Sequence, residues 1–310
     1  MTTPIPDFSV SVPPSGYRWW YVDGISDDGQ QGIVVIAFVG SVFSPYYYSA
    51  RQRGPTDPEE YCAVNVGLYQ RRGKRWCMTE RNKSALSRTS GQFSVGPSRL
   101  HRVGDQLQID VRERSAPFGL AVEGSISITP RFTSEKKFWL DPAQRHGWQP
   151  IAPLGRIDVV MNAPQCRWSG SAYLDTNWGS RALEDDFLGW NWTRRAADDR
   201  AVLTYAADLR TGGSRTLALK FDASGSIDEV ESAPAVRLPG TGWRVGRETR
   251  ANYRPTVIRT LEDTPFYARS MITAESADAE PVMHESLSLE RFRAAWVRAL
   301  LPFRMPRRNG

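Results

Sequence analysis

The sequence of 310 residues predicts an all-β protein with two domains of the barrel or sandwich type, followed by a C-terminal helix. Roughly a dozen short strand-like runs are separated by Gly, Pro and Asp, which is typical of sandwiches and barrels rather than of alternating βα units. A barrel that holds one small ligand uses about eight strands, so the runs suffice for two such units. The segment after Ser288 has the apolar spacing of a helix.

The predicted strands begin with Gly32–Val39, which is apolar throughout and is therefore expected to be buried on both faces. Cys62–Tyr69 and residues 107–112 show the period-two alternation of half-buried strands, and the strand at 120–128 ends before Pro130. The later predicted strands are residues 156–161, 172–175, 187–192, 201–206, 216–221, 257–261 and 266–273.

The Pro-rich segment at residues 148–153 is the best candidate for a junction between the domains. We therefore predict lipocalin-sized β domains at residues 15–155 and 156–302. A flexible N-terminal tail (residues 1–14) precedes them, and a basic tail (residues 303–310) follows them.

The predicted helix begins after Ser288, which can act as its N-cap, and ends at Leu301-Pro302. Its apolar face consists of Leu289, Phe292, Trp296 and Leu300. Such a helix commonly closes a barrel or covers a sheet edge. The tail after it mixes apolar and cationic residues, which suits either solvent or a lipid headgroup layer.

The composition excludes several classes of protein. The 40 basic and 34 acidic residues give a net charge of +6 but are mostly interleaved, and no nucleic-acid-binding motif is present, so we expect no nucleic-acid partner. The modest basic excess fits anionic lipid better. The 11 Trp, 11 Tyr and 12 Phe fit either packing within sheets or a pocket for a long apolar ligand.

Three cysteines without CxxC spacing argue against a disulfide framework and a zinc site. The polar, Pro-rich start lacks the apolar core of a signal peptide, so we expect a cytoplasmic protein. The longest apolar run, at residues 33–39, is far shorter than the ~20 residues needed to span a bilayer. Any membrane contact is therefore expected to be peripheral.

Two pairs of residues carry the most specific chemical signal. His146 and Trp148, and likewise Tyr173 and Asp175, are spaced i, i+2, so on an extended backbone each pair points to one face. An acid, a proton relay and aromatic surfaces are what protonation of an unactivated carbon–carbon double bond requires. Asp175 has apolar and aromatic neighbours, and burial there should raise its pKa and keep it partly protonated. The alternative is a turn in which Asp175 only caps backbone amides.

The remaining motifs are weak. His101 lies in a basic turn and is expected at the surface, whereas His284 precedes the predicted helix and could lie near a site. A metal site built from the three histidines is unsupported. The sequence contains no GxSxG elbow, P-loop or GxGxxG fingerprint, so nucleophilic catalysis is not favoured.

From about Tyr17 to Arg308, the chain resembles the bacterial carotenoid 1,2-hydratases, also called hydroxyneurosporene synthases. The segments that carry the resemblance are 19–23 (WWYVD), 38–47 (FVGSVFSPYY), 76–81 (WCMTER), 145–150 (RHGWQP), 173–177 (YLDTN), 261–270 (LEDTPFYARS), 284–288 (HESLS) and 301–307 (LPFRMPR). They are long and occur in order.

The resemblance implies two lipocalin-like β-barrels and a cofactor-free hydro-lyase. The implied reaction adds water across the terminal C1–C2 double bond of acyclic carotenoids such as lycopene and neurosporene, on the route to spheroidene or spirilloxanthin in photosynthetic bacteria. The family's functional residues fall on His146, Trp148, Tyr173 and Asp175. Asp175 would protonate C2, and the rings of Trp148 and Tyr173 would face the cation at C1. His146 would either accept a proton from the attacking water or return one to Asp175. No cofactor or metal is expected.

Four further aromatic residues are expected to contact the polyene: Trp20, Trp178, Phe266 and Tyr267. Because the substrate is apolar, we expect the pocket to open near the inner or intracytoplasmic membrane, with the C-terminal helix and tail as candidates for docking. The rival functions are a binding protein or carrier for an apolar polyene and a related cyclase-type enzyme. A carbohydrate enzyme is a more distant alternative.

Overall fold

The computed structural model describes residues 6–197, 199–273 and 281–308. Strands dominate, as the sequence predicts, and the longest described helix, Ala295–Arg304, lies near the C-terminus. The fold class, all-β with two lipocalin-like β units and a C-terminal helix, is therefore confirmed. The chain forms two compact units, residues 1–182 with 299–310, and residues 183–298.

The strands from residue 17 to residue 179 are β1 (Tyr17–Ser26), β2 (Gly32–Val39), β3 (Cys62–Tyr69), β4 (Lys74–Arg81), β5 (Leu86–Thr89), β6 (Gln92–Val95), β7 (Ser98–Val103), β8 (Gln106–Ser115), β9 (Leu120–Pro130), β10 (Phe138–Trp139), β11 (His146–Ala163) and β12 (Gln165–Gly179). Those that follow are β13 (Phe187–Ala197), β14 (Arg200–Leu209), β15 (Ser214–Asp222), β16 (Ile227–Glu229), β17 (Ala235–Leu238), β18 (Arg247–Arg250), β19 (Val257–Asp263), β20 (Tyr267–Ile272), β21 (Val282–Ser288) and β22 (Arg307–Arg308).

The helices are short. They are α1 (Pro45–Arg51), α2 (Leu183–Asp186), α3 (Leu289–Phe292) and α4 (Ala295–Arg304), with 3-10 turns at Pro58–Glu60 and Lys83–Ala85. Among the described residues, no helix has the length and apolar content that crossing a membrane requires.

The first unit is built on one 13-stranded sheet, in the order β22-β4-β3-β2-β1-β12-β11-β9-β8-β7-β6-β5, with β10 paired to β11. The sheet curls, so that β4 packs against β8. Alternate residues of its strands fill the enclosed core, which includes Trp20 and Val22 on β1 and Leu174 on β12. Because side chains alternate along a strand, Tyr21, Tyr173 and their same-face neighbours point away from this core.

The predicted domain junction falls inside a strand. β11 runs from His146 to Ala163 and pairs with β12 along its whole length, so the boundary predicted at residues 155 and 156 is wrong. The physical reason is that proline cannot donate a ladder hydrogen bond, and the strand accommodates Pro150 and its neighbours with register shifts between Pro150 and Gly155. The Pro-rich segment is a bulged stretch of strand, and the second unit begins at Leu183.

The N-terminal segment is also more ordered than predicted. Residues 1–5 lie outside the described residues, but Phe8 is fully buried and contacts Trp20, with ring centroids 4.9 Å apart. Arg88 donates hydrogen bonds to the carbonyls of Phe8 and Val10. The prediction of a flexible tail over residues 1–14 is therefore wrong for the described part, because an aromatic anchor fixes it in the core.

The second unit contains a seven-stranded antiparallel sheet, in the order β16-β15-β14-β13-β21-β20-β19, and a two-stranded sheet of β17 and β18. His284, which precedes the predicted helix, lies on β21 and is fully buried. Its Nε2 lies 3.0 Å from the carbonyl oxygen of Glu248, and burial lowers the pKa of the imidazole to about 4. The ring is therefore neutral at pH 7.

The predicted C-terminal helix is interrupted. Ser288 caps it as expected, by accepting a hydrogen bond from the backbone N–H of Arg291, but α3 ends at Phe292 and α4 begins at Ala295. The predicted end at Leu301-Pro302 is wrong, since α4 contains Pro302 and continues to Arg304. The predicted apolar face splits as well. Leu289 and Phe292 are buried, whereas Trp296 and Leu300 are 49% and 44% exposed.

The described part of the basic tail, residues 303–308, returns to the first unit. Arg307 and Arg308 form β22, which pairs in parallel with β4. Arg307 donates a 2.6 Å hydrogen bond to Glu80, whose burial raises its pKa to about 7. The guanidinium of Arg304 lies over the ring of Trp76 at 4.5 Å. The tail is therefore a structural edge rather than a loose extension, and Asn309 and Gly310 lie outside the described residues.

Candidate active site

The two motif pairs lie on adjacent strands. β11 and β12 are antiparallel neighbours, in a register that places His146 opposite Gly179 and Trp148 opposite Asn177. Pro150 is opposite Asp175. All four motif side chains share one face of the sheet, which is the face turned away from the enclosed core. They are buried all the same, because both faces are covered here.

Asp175 is held by its two nearest motif partners. Its Oδ2 accepts a hydrogen bond from the indole Nε1–H of Trp148 at 2.8 Å and another from the hydroxyl of Tyr173 at 2.8 Å. The side chain is only 4% exposed. With both donors on Oδ2, a proton carried by the carboxyl group would sit on Oδ1. The group can thus act as an oriented acid.

Tyr173 remains a phenol. Burial raises its pKa well above the ordinary value, and the neighbouring carboxyl groups of Asp175 and Asp23 raise the pKa further. The Tyr173 ring is fully buried and meets the ring of Tyr21 edge-on, with centroids 6.1 Å apart. A neutral phenol donates a hydrogen bond to Asp175 and so fixes the orientation of the carboxyl group.

His146 is anchored by residues outside the motif. Its Nδ1 lies 2.9 Å from the hydroxyl of Tyr17, and the two rings stack with centroids 5.9 Å apart. The carboxylate of Asp141 accepts hydrogen bonds from the backbone N–H groups of Arg145 and His146. These contacts fix the position and orientation of the imidazole ring.

His146 and Asp175 do not form one short dyad. The residue opposite His146 is Gly179, four positions along β12 from Asp175. At roughly 3.3 Å per residue, the two lie about 13 Å apart along the strand. Trp148 and Asn177 occupy the intervening row. A proton therefore cannot pass directly from His146 to Asp175, and its transfer requires an intermediary such as water.

Two glycines make this arrangement possible. A Cβ on Gly179 would lie 2.7 Å from Nδ1 of His146 and 2.5 Å from the ring of Tyr17. A Cβ on Gly147 would lie 2.2 Å from the ring of Trp178. The glycine of the His-Gly-Trp motif therefore leaves space on the opposite face of the sheet, while the histidine and tryptophan point to the site.

Trp20 and Trp178, predicted to contact substrate, lie on the sheet face opposite to Asp175. On β1, Trp20 belongs to the enclosed core together with Phe8 and Phe93. Trp178 carries the guanidinium of Arg18 over its ring at 5.0 Å. The structure does not bring these two residues to the motif cluster, because even-numbered and odd-numbered positions of β1 and β12 point to opposite faces.

Phe266 and Tyr267, the other two predicted substrate contacts, belong to the second unit. Phe266 packs against Phe292, with ring centroids 5.2 Å apart. The Tyr267 ring receives the guanidinium of Arg269 at 5.3 Å. A role for either in substrate binding remains a prediction.

The sequence reasoning missed Tyr17, Asp141 and Asp23. Each belongs to the surroundings of a motif residue, but only cross-strand pairing or a turn brings it there. For Asp23 the sequence did contain an indication. It is an acidic residue within the mostly apolar segment Trp19–Ile25, where a charged side chain is unusual unless it has a specific role.

No ready-made metal site accompanies these residues. Within residues 6–197, 199–273 and 281–308, no group of three or more His, Cys, Asp or Glu side chains is placed to hold a metal ion. A cavity of about 520 Å³ lies elsewhere in the first unit, lined by polar residues that include Arg99, Asp110 and Arg112. Its polar lining does not suit an apolar polyene, so we do not place the reaction there.

The family model described as "Carotenoid hydratase CrtC" matches residues 35–310. The chain belongs to this carotenoid hydratase family. The resemblance seen in the sequence is thereby confirmed.

Curated relatives from the carotenoid hydratase family also match most of this chain. The acyclic carotenoid 1,2-hydratase of Thiocapsa roseopersicina is 48% identical over 309 residues, which cover 98% of this chain and 76% of the relative. The acyclic carotenoid 1,2-hydratase of Rhodobacter capsulatus is 39% identical over 281 residues, covering 89% of this chain and 98% of the relative.

Solved structures show that the carotenoid hydratase fold is shared more widely. Kievitone hydratase from Nectria haematococca matches with a TM-score of 0.60 at 12% identity, covering 93% of this chain and 96% of that one. The AttH-type protein NE1406 of Nitrosomonas europaea matches with a TM-score of 0.59 at 14% identity, covering 93% and 99%. At these identities the likeness establishes the fold alone.

Proposed function

We propose that this chain is an acyclic carotenoid 1,2-hydratase, which adds water across the terminal C1–C2 double bond of a substrate such as lycopene or neurosporene. Relatives of that name align over nearly the whole chain, which supports the assignment. The observation that carries the mechanism is the burial of Asp175, with Trp148 and Tyr173 both donating to its Oδ2.

The reaction begins with proton transfer. Oδ1 of Asp175 delivers its proton to C2, the π electrons form the new C2–H bond, and positive charge develops at the tertiary carbon C1. The more substituted cation is the more stable, so Markovnikov selectivity needs no further steering. Trp148 and Tyr173 adjoin the acid and present aromatic surface to this charge, and a desolvated cation–π contact is worth about 2 kcal/mol.

Hydration is completed by water. The oxygen of a water molecule attacks C1, and His146 accepts a proton from the resulting oxonium, a general-base contribution of roughly 10²–10⁴ in rate. A chain of water then returns the proton to Asp175, as the separation of the two residues requires. The sum of the steps is alkene plus water to tertiary alcohol, without oxidation or reduction.

The absence of any net oxidation or reduction supports a cofactor-independent mechanism. No electron acceptor or group carrier enters the overall reaction, so acid, base and an apolar pocket are sufficient. The buried site serves this chemistry, because exclusion of stray water and bases protects the cation from premature quenching.

Because the substrate is long and apolar, we further propose that the protein docks peripherally on a membrane through α4. Trp296, Leu300 and Phe303 share one face of this helix, and Phe303 is 74% exposed. Trp243 stacks beside Trp296, with ring centroids 6.2 Å apart, and is followed by the exposed Arg244. Exposed aromatic residues beside cations suit an anionic lipid interface.

Product analysis tests the function. Purified protein is incubated with lycopene or neurosporene in H₂¹⁸O without added cofactor, and the expected product is a tertiary alcohol that carries the label. An unlabelled cyclic product would indicate a cyclase, and unchanged substrate that copurifies with the protein would indicate a carrier. Asp175→Asn keeps the shape of the acid without its proton, so hydration should fall by at least about 10³-fold. A near-wild-type rate would overturn the assignment of the acid.

A further inference from the structure

A second acidic side chain lies on the sheet face that carries the proposed acid. Asp23, on β1, is opposite Tyr173 on β12 and is fully buried. The next pair along this face is Tyr21 and Asp175. Asp23 and Asp175 are therefore diagonal neighbours on two paired strands, a position in which Cα atoms lie about 7–8 Å apart and side chains approach more closely.

The strands around Asp23 supply few other charges. Within two positions of Asp23 and its cross-strand partners, the titratable side chains on this face are Tyr21, Tyr173, Asp175 and, on β3, Tyr69, whose hydroxyl lies beside Gly67. Tyr17 and His146 lie farther along the same face. The residues that continue these rows on β2 and β3 are uncharged: Val34, Ile36, Asn65 and Gly67. Two carboxyl groups thus share a buried region in which the other titratable neighbours on these strands are phenols.

Tyr173 lies between the two acids. Its hydroxyl donates to Asp175, and the negative charge of Asp23 is among the causes that hold its pKa well above the ordinary value. The phenol of Tyr173 therefore stays protonated and takes up no proton from Asp23 or Asp175. Two nearby carboxylates in a medium of low dielectric constant do not readily ionise together, so one proton is retained between them.

We propose that Asp23 is a positioning residue for the proposed hydration, a second carboxyl whose charge keeps the proton on Asp175 until substrate arrives. The proposal rests on the proposed role of Asp175 as the acid. The two hydrogen bonds donated to Oδ2 favour the ionised form of Asp175, whereas the proposed acid must hold a proton. A negative charge at Asp23 opposes that preference.

The charges balance through the cycle. Before reaction, the pair holds one proton and one negative charge. After transfer to C2, both carboxyl groups are ionised beside a carbocation, and the second negative charge stabilises the developing positive charge electrostatically. When water has added to C1, the proton it releases returns to the pair, and the resting state is restored.

The test is the pH dependence of kcat for carotenoid hydration by the full chain. A reaction that needs a protonated acid slows as the pH rises through the apparent pKa of the pair. Asp23→Asn removes the repelling charge, so the alkaline limb should move to lower pH by about one unit or more, with about a tenfold loss of rate on that limb. On the acid side of the limb the rate should change less.

Asp27→Asn is the matched control, since Asp27 is an exposed acid four residues away that pairs with Arg156. Asp23→Glu preserves the charge and should preserve the position of the limb. Should Asp23→Asn fail to fold, the infrared band of a protonated aspartic acid is sought in the wild type at neutral pH, where its absence would overturn the inference. An alkaline limb unmoved in a folded Asp23→Asn protein would do the same. An Asp175→Asn variant with a near-wild-type rate would instead overturn the role of Asp175 as the acid, and failure of the wild type to hydrate lycopene or neurosporene would overturn the proposed function.

Discussion

At Asp175, one carboxyl oxygen collects hydrogen bonds from two different residues, so the contribution of each donor can be measured separately. Trp148→Phe removes the indole donor and Tyr173→Phe removes the phenol, while both keep an aromatic ring. A hydrogen bond to a charged group is worth roughly 1.5–3 kcal/mol. We expect each variant to lower kcat for hydration by about 10- to 100-fold, as measured by product formation.

Because both donors act on the same oxygen, the double variant should lose less than the product of the single losses. Fully multiplicative losses would show that the effects of the two donors on Asp175 are independent of each other. The unfolding midpoint in urea, measured for all three variants, separates loss of catalysis from loss of fold.

The shared face of each motif pair was predictable from the sequence, because i, i+2 spacing places both side chains on one face of a strand. Their role was implied by the resemblance to the carotenoid hydratases. The positions of Tyr17 and Asp23 were not predictable, since they depend on the register between β1 and β12. A single sequence carries no information on that register. The hydrogen bond between Tyr17 and His146 spans 129 residues of chain, and nothing local to either residue foretells it.

At the scale of a strand, β12 approaches β1 and β11 closely enough to require glycine at its end. Gly179→Ala would press a methyl group against His146 and Tyr17. Overpacking of this kind costs typically about 1–3 kcal/mol. We expect a lower urea midpoint and a loss of hydration activity through displacement of His146.

Gly91→Ala is the control for this substitution, because nothing lies within 4 Å of a Cβ built at Gly91. It should change neither the urea midpoint nor the rate. If Gly179→Ala left both the urea midpoint and the hydration rate unchanged, the close packing around His146 would contribute to neither stability nor activity.

The strands themselves were predicted unevenly, for physical reasons. Gly32–Val39 and Cys62–Tyr69 were predicted with the observed bounds, since continuous apolar runs and clean alternation are strong signals. β1 was missed as a strand although all of its residues are buried. Because β1 is covered on both faces, its aromatic, polar and acidic residues show no alternation that would mark a strand. Its acidic residue, Asp23, lies on the face that carries Asp175.

For the whole molecule, the exposed face of α4 predicts reversible binding to anionic vesicles. Trp296→Ser and Phe303→Ser each remove one exposed aromatic ring. Burial of such a side chain is worth about 1.5–3 kcal/mol, so each variant should weaken partitioning at least about tenfold. The measurement is sedimentation with vesicles of phosphatidylglycerol and phosphatidylcholine.

Phe118→Ser provides the comparison, since Phe118 is 82% exposed in the turn between β8 and β9. It should leave vesicle binding unchanged. Equal binding by all three variants would rule out α4 as the docking surface. Deletion of the tail is a poorer test, because Arg307 and Arg308 pair with β4 and their loss would disturb the first unit.

The number of β units was predictable from the number of strand-like runs, but their boundary was not. Prolines at residues 150 and 153 have the composition of a linker, and only the pairing of β11 with β12 shows that they belong to a bulged strand. The return of the C-terminal residues to the first sheet was equally inaccessible, because a two-residue strand has no periodicity to detect.

That return has a consequence for biosynthesis. β22 follows the whole second unit in the chain, yet it covers an outer strand formed before residue 82. During translation, the backbone groups along that side of β4 stay unpaired until Arg307 and Arg308 have been synthesised. A chain that stops before Arg307 would thus leave this edge of β4 unpaired, and an unpaired strand edge can pair with another chain and cause aggregation.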